Sequence, residues 1–214
     1  AAESSASRPE REPVAALWRY KLSWQMTLYM GLQSLLFFVV MAWLPDIAAS
    51  RGIDADSAGL MVALMPFAGL PFNLAMPLLA ARVSDQRWLS LTTVLIFAGG
   101  TLCLFQHQAA LLALGAALIG IGGGGSFSLA LMFFTMRTHD ADQASGISGM
   151  AQSFGYLLAG SGPALFGWLH DRSGGWDAPL LLLAALVAVF AWAGLGAGRN
   201  AKLPRNARPS SLNA

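Results

Sequence analysis

The sequence predicts an all-α membrane protein with six transmembrane helices. Only 11% of its 214 residues are charged and 56% are hydrophobic, whereas about a quarter of the residues in an ordinary soluble domain are charged. A helix needs about 20 consecutive apolar residues to cross a bilayer. Six stretches without Asp, Glu, Lys or Arg meet or nearly meet that length: 23–44, 58–81, 88–105, 109–136, 144–169 and 178–198.

The polarity pattern excludes two other fold classes. Helices of a soluble bundle have a charged stripe that repeats with the helical period, and none of the six stretches contains a charged residue. Strands of a membrane β-barrel alternate in polarity over about ten residues. These stretches are instead long runs rich in Leu, Ala and Gly, which favours helices.

The first span has a polar face. It is too long and too far along the chain to be a signal peptide, so we expect a retained helix. Gln25, Tyr29, Gln33 and Phe37 recur at every fourth position, and side chains at this spacing share one helical face. Amide and phenol groups can bind a small solute without a charge. We therefore predict a substrate-binding face, with hydrogen bonding between helices as the alternative.

The second and third spans show mainly structural signals. Pro66, Pro71 and Pro77 lie in the second span, where each removes a backbone donor and favours a bend. Asn73 is isolated there and is interpreted as structural. Cys103, in the third span, is the single cysteine, so no disulfide can form within the chain.

The fourth span contains a run of glycines. Gly120 and Gly124 lie one turn apart and are followed by Ser126. Small residues let helix backbones approach closely, and interrupted helices occur around transporter sites. We expect the glycines to serve helix packing or bending, and Ser126 is a candidate substrate-binding residue.

The fifth span repeats the polar face of the first, and the sixth has no polar signal. Ser148, Gln152 and Tyr156 recur at every fourth position, so Gln152 and Tyr156 are candidate substrate-binding residues. Gly162 and Pro163 follow, and we expect packing or bending there.

The basic residues predict the orientation in the membrane. Six spans place both termini on one side, and positively charged loops stay cytoplasmic. One side has only Arg51 and Arg172. The other has Arg8, Arg11, Arg19, Lys21, Arg82, Arg87, Arg137, Arg199, Lys202, Arg205 and Arg208. We therefore predict a multi-pass protein of the cell inner (plasma) membrane with both termini cytoplasmic.

Several kinds of chemistry are not expected. The net charge is +2. The basic residues are spread over four segments predicted to be cytoplasmic and form no basic patch, so nucleic acid is not an expected partner. No span contains a charged residue that could relay protons. The three histidines stand singly, without a neighbour at metal-ligand spacing. We expect no metal, no cofactor and no enzyme activity.

Six short blocks of sequence match a known pattern of spans and turns. They are WQMTLYMGLQSL at 24–35, AWLPDI at 42–47, GGSFSLAL at 124–131, RTHD at 137–140, SGMAQSFGYL at 148–157 and GWLHD at 167–171. These blocks, which extend over most of the chain, resemble the cyanate permease and 2-nitroimidazole transporter family within the major facilitator superfamily.

The resemblance implies a fold of twelve spans in two six-helix halves, with a central site reached alternately from each side. The six spans, within residues 23–198, would be the C-terminal half. Residues 1–22 would be a cytoplasmic linker or tail, and residues 199–214 a cytoplasmic tail. The implied partner is an N-terminal six-helix half, in the same chain or a separate one.

One loop departs from the superfamily pattern. The loop after the second helix of a half usually reads Gly-x-Leu-x-Asp-Arg, whereas residues 81–87 read ARVSDQR. Only Asp85 and the basic Arg87 remain as candidates for loop gating.

The predicted function is secondary active transport. The chain, or a transporter of which it is the C-terminal half, would move a small polar or anionic organic solute across the inner membrane by alternating access. Its partners would be that solute and the lipid bilayer. The alternative is a non-transporting scaffold, or an orphan half-protein that acts by associating with another membrane chain.

Overall fold

The computed structural model describes residues 17–204. Six α-helices run through that part of the chain: α1 (Lys21–Ala49), α2 (Ala55–Ala81), α3 (Arg87–Cys103), α4 (Ala109–Met136), α5 (Ala141–Ser173) and α6 (Asp177–Ala197). Each predicted span overlaps one helix and differs from it only at the ends. Most of the two predicted tails, including Arg8, Arg11, Arg205 and Arg208, lies outside the described residues.

Four of these helices, α1, α2, α4 and α6, are long and apolar enough to cross a membrane. Helix α3 is apolar but has only 17 residues. Helix α5 has 33 residues and is the least apolar of the six. Length and composition therefore identify four candidate membrane spans in the described part of the chain.

Side-chain caps begin two of the helices. The Asp54 carboxylate accepts a 2.8 Å hydrogen bond from the Ser57 backbone N–H at the start of α2, and Asp140 accepts one of 2.8 Å from the Gln143 backbone at the start of α5. The hydrogen bonds from Ser57 lower the pKa of Asp54. Helix α5 ends at Ser173 and is capped by Gly174, whose φ of 72° is a left-handed conformation that glycine adopts without strain.

The helices pack as two equivalent units of three. The most extensive contacts join α1 to α5 and α2 to α4, while α3 packs on α4 and α6 packs on α1. If α1, α2 and α3 are exchanged for α4, α5 and α6, respectively, the α1–α5 contact becomes the α2–α4 contact. In the same way, the α3–α4 contact becomes the α1–α6 contact. This is the pattern of an internal three-plus-three repeat.

Glycines form the crossing point of each main helix pair. A Cβ atom on Gly31 of α1 would lie 2.9 Å from the Cα of Gly155 in α5. A Cβ on Gly69 of α2 would lie 2.6 Å from the main-chain oxygen of Gly120 in α4, and one on Gly124 would overlap the carbonyl of Gly69. Both crossings therefore bring backbone against backbone, which only glycine permits.

The two crossings occupy matching places in the repeat. Gly69 lies fourteen residues after Ala55, the first residue of α2, and Gly155 lies fourteen residues after Ala141, the first residue of α5. Gly69 and Gly155 thus stand at the same position within their helices.

A buried arginine joins the ends of three helices on the side predicted to be cytoplasmic. Arg137, directly after α4, is 2% exposed. Its Nε donates to the Ala197 carbonyl at 3.1 Å and its Nη2 to the Gly198 carbonyl at 3.0 Å, both at the end of α6. Its Nη2 also donates to the side chain of Gln86, whose own Nε2 donates to the Ala80 carbonyl of α2 at 3.1 Å.

The helix ends explain how a cation is tolerated there. The last carbonyls of a helix have no intrahelical partner and bear partial negative charge, and the carbonyl ends of α2, α4 and α6 meet at Arg137. Burial lowers the pKa of the Arg137 guanidinium, and the charge of Asp85 opposes that effect. The sequence pattern identifies Arg137 only as one of the loop charges.

Replacing Gly120 with alanine is expected to destabilise the bundle. The new methyl group would overlap the Met65 carbonyl of α2, and overpacking of this kind costs about 1–3 kcal/mol. The matched control is Gly160→Ala on α5, where a Cβ would meet nothing within 4 Å. Thermal unfolding in detergent should show a lower midpoint for Gly120→Ala only; equal midpoints for the two variants would contradict the crossing.

Replacing Arg137 with methionine should also destabilise the protein. The change leaves the carbonyls of Ala197 and Gly198 without this donor, and each buried unsatisfied group costs about 1–3 kcal/mol. Arg172→Met is the control, because Arg172 is exposed. Resistance to proteolysis in detergent should fall for Arg137→Met and stay unchanged for Arg172→Met. Similar resistance in both would argue against a structural role for Arg137.

Candidate functional site

A cavity of about 310 Å³ lies between α1, α2, α4 and α5. Its lining residues are Gln33, Ser34, Phe37, Phe38, Pro66, Gly69, Leu70, Asn73, Gly120, Gly123, Gly124, Phe127 and Tyr156. None of them belongs to α3 or α6, which stand behind the other helices. The glycines of the α2–α4 crossing thus form part of the cavity wall.

Four aromatic rings form part of the cavity wall. Phe37 and Phe38 come from α1, Phe127 from α4 and Tyr156 from α5. A Cβ on Gly123 would lie 2.9 Å from Cδ2 of Phe37, so the glycine lets the ring lie directly against α4. Flat walls of this kind suit a small ring or another planar solute.

The polar groups of the cavity are all uncharged. They belong to Gln33, Ser34, Asn73 and Tyr156. Gln33 is buried, and its Nε2 donates a 2.6 Å hydrogen bond to Ser34 Oγ. That bond fixes the amide and leaves its Oε1 as an acceptor. The cavity can therefore offer hydrogen bonds to a solute but no opposite charge.

Three of the seven predicted substrate-binding residues line this cavity: Gln33, Phe37 and Tyr156. Gln152 lies one turn before Tyr156 and is half-buried, with its Nε2 donating to Ser148 Oγ at 2.7 Å. It belongs to the same face of α5 but does not line the cavity.

The structure places the other three elsewhere in the bundle. Gln25 Oε1 accepts a 3.2 Å hydrogen bond from Arg199, just after α6. Tyr29 is fully buried, its hydroxyl 3.3 Å from Thr93 Oγ1 of α3 and its ring beside Phe190 of α6. Ser126 is buried near the same hydroxyl.

The geometry of α1 explains this division. A step of four residues exceeds one turn by about 40°, so the predicted face drifts around the helix. Along this drift Gln25 and Tyr29 point towards α6 and α3, while Gln33 and Phe37 reach the cavity.

Five of the six predicted packing residues lie at helix contacts or on the cavity, whereas Pro71 is exposed. Pro66 lines the cavity, and α2 continues as one helix past Pro66 and Pro71. A Cβ on Gly162 would lie 2.8 Å from Val39 of α1. The Pro163 carbonyl accepts a 2.8 Å hydrogen bond from Trp43 Nε1, which ties α5 to α1.

The predicted gating residues form a local surface pair. Asp85 Oδ1 accepts a 3.0 Å hydrogen bond from the Arg87 backbone, and the two side chains approach to 3.6 Å with both partly exposed. The buried member of this loop is Gln86, which contacts Arg137. Gating by Asp85 and Arg87 stays a prediction.

Several lining residues were not predicted as part of a binding site, notably Ser34, Phe38 and Asn73. A usable signal existed for Asn73, because Pro77 follows it by four residues and leaves its carbonyl without a helical partner. Phe38 had no such signal, since one more phenylalanine in an apolar span is expected to be lipid-facing. Within residues 17–204, no three His, Cys, Asp or Glu side chains are grouped so as to hold a metal ion.

Comparison with known proteins agrees with this architecture. The sequence profile of the Major Facilitator Superfamily matches residues 26–212. The chain is 45% identical over 188 residues to the uncharacterized transporter YycB of Bacillus subtilis (strain 168), covering 87% of this chain and 46% of that protein.

Two relatives from Escherichia coli (strain K12) have named solutes. The chain is 40% identical to the 2-nitroimidazole transporter, with 87% of this chain and 47% of that protein covered. It is 28% identical to the cyanate transport protein CynX, with 80% and 44% covered. The chain thus spans about half the length of these relatives. Because the family profile matches most of the chain, this protein belongs to the Major Facilitator Superfamily.

Proposed function

We propose that this chain forms one wall of a secondary active transporter that moves a small polar or anionic organic solute across the cell inner membrane by alternating access. The cavity carries this proposal, because it combines aromatic walls with uncharged hydrogen-bonding groups at mid-helix positions. It is also open on one side: Phe38 and Tyr156 are each 46% exposed. A second wall facing this side would complete a closed path.

The size and polarity of the cavity favour a small solute. Its volume of about 310 Å³ lies at the lower end of the about 300–1,000 Å³ typical of ligand pockets. The relatives named for 2-nitroimidazole and cyanate support a solute of this size with polar atoms. We infer that Gln33, Phe37 and Tyr156 contact it directly and that Gln152 supports Tyr156 from the preceding turn.

We infer that all six helices cross the membrane, with both termini cytoplasmic. Helix α3 would measure about 26 Å at 1.5 Å per residue, close to the about 30 Å hydrocarbon thickness. The charges of α5 lie at its two ends, and residues 144–169 contain none. The basic residues Arg82, Arg137 and Arg199 all follow the ends of α2, α4 and α6, as a cytoplasmic side requires.

The second wall would be an N-terminal six-helix half, in the same chain or a separate one. Helices α2 and α5 expose large apolar side chains, including Leu74 of α2 at 74% and Leu157 of α5 at 72%. Part of this surface would face lipid and part the other half. Loop gating by Asp85 and Arg87 would accompany the rocking of the halves.

The same exposed faces suit the alternative, a scaffold that associates with another membrane chain without transporting. A solute assay separates the two functions, because a scaffold needs no cavity contact for its association. Co-purification with another chain, without any solute uptake, would favour the scaffold.

Replacing Gln33 with leucine should reduce transport about five- to tenfold, since one hydrogen bond to the solute is worth about 1 kcal/mol. Uptake or efflux of radiolabelled 2-nitroimidazole and cyanate would be measured in cells that express the chain in its full coding context. Gln108→Leu is the matched control, because Gln108 is exposed between α3 and α4. Both variants should insert into the membrane to the same extent. Unchanged transport by Gln33→Leu would contradict direct contact between Gln33 and the solute.

Reporter fusions placed after Pro204 should show a cytoplasmic end. Green fluorescent protein at this point is expected to fluoresce, and alkaline phosphatase is expected to be inactive, because the basic residues hold this side inside. The reverse result would overturn the proposed orientation without bearing on the cavity.

A further inference from the structure

Pro77 leaves one backbone carbonyl of α2 without its helical partner, and this carbonyl belongs to Asn73, a residue that lines the cavity. In a regular helix the carbonyl of Asn73 would accept a hydrogen bond from the backbone N–H of residue 77, but residue 77 is proline and has none. Lipid offers no replacement donor, and an unsatisfied carbonyl in a membrane is costly. A hydroxyl on a neighbouring helix can take the place of the missing donor.

Ser128 of α4 supplies that partner. Its hydroxyl lies 2.6 Å from the Asn73 main-chain oxygen and 2.5 Å from Asn73 Oδ1, and its proton is shared between the two. Ser128 is buried. The two contacts fix both the main chain and the side chain of Asn73, so the amide is held in one orientation.

The other polar atom of the Asn73 side-chain amide is its nitrogen, Nδ2, which is a hydrogen-bond donor. Asn73 lines the cavity, and with Oδ1 occupied by Ser128, the Nδ2 group makes no hydrogen bond to any other residue in the range 17–204. An amide nitrogen carries two N–H donors. A preorganised donor next to aromatic walls is how ligand pockets fix the orientation of a small molecule.

We propose that Asn73 donates a hydrogen bond from Nδ2 to an acceptor oxygen of the transported solute, and that Ser128 is the residue that positions it. This inference rests on the proposed function and narrows its solute to a small planar compound with an acceptor oxygen, such as a carboxylate. The rings of Phe37 and Phe127 would hold the planar body. Asn73 thus changes from a structural residue to a specificity-determining one.

Binding of two probes of similar size tests the proposal. Benzoate has acceptor oxygens, whereas aniline has a ring of the same size and none. Dissociation constants would be measured by calorimetry with the full chain held in lipid nanodiscs. Asn73→Leu should weaken benzoate binding about tenfold, the effect of one lost hydrogen bond to a charged group, and leave aniline within about twofold.

Two further variants separate the donor from the shape of the residue. Asn73→Asp keeps the shape and the contact with Ser128 but replaces the donor with a negative charge, so benzoate binding should fall by more than in Asn73→Leu. Asn200→Asp is the control, because it adds the same charge at an exposed position outside the cavity.

Variants of Ser128 test the positioning role. Ser128→Ala should weaken benzoate binding and reduce the preference for benzoate over aniline, while Ser128→Thr, which keeps the hydroxyl, should restore it. Ser161→Ala is the control, since the Ser161 hydroxyl donates to the Leu158 carbonyl at 2.8 Å on an exposed face of α5. A thermal midpoint within a few degrees of wild type shows that each variant is folded.

Several results would overturn the proposal. Equal loss of benzoate and aniline binding in Asn73→Leu would mean a packing role only, and no loss of either would mean no contact. Failure of the wild-type chain to bind benzoate would also overturn it. Selective benzoate binding combined with no solute uptake would instead refute transport and leave this site standing, so the two failures are distinguishable.

Discussion

The close crossing of α2 and α4 is the contact on which the rest of the site depends. Burying apolar surface between helices gains little free energy in a bilayer, because lipid tails are equally apolar. Van der Waals contact must therefore hold the helices together. Gly69, Gly120 and Gly124 bring the two backbones into direct contact. The equivalent crossing of α1 and α5 at Gly31 and Gly155 fixes the other pair. The cavity is the space left between these two tightly joined pairs.

A second constraint is that the backbone polar groups of such a bundle need partners from the protein itself. Pro77 leaves the Asn73 carbonyl without its helical partner, and Ser128 of the neighbouring helix donates a hydrogen bond to it. At the helix ends Gln86 and Arg137 satisfy the last carbonyls of α2 and α6. The charged group is thereby confined to the helix ends, and the polar side chains that line the cavity are all neutral.

The sequence predicts the helices well because a charge-free run of sufficient length has few alternatives. It predicts the site less completely. A periodic face shows which residues share one side of a helix but not which neighbour that side meets, so Gln33 and Phe37 line the cavity while Tyr29 packs against α3 and α6. The role of Asn73 depends on a hydroxyl 55 residues away on α4, and no local pattern reveals such a pairing.

The arginine at the end of α4 also has a consequence for biosynthesis. Its two carbonyl acceptors on α6 lie 60 and 61 residues further along the chain. Until the last helix has been synthesised, the guanidinium of Arg137 lacks these two partners. A polypeptide that stops short of Ala197 therefore lacks both acceptors, and the bundle end at Arg137 cannot close until the last helix is complete.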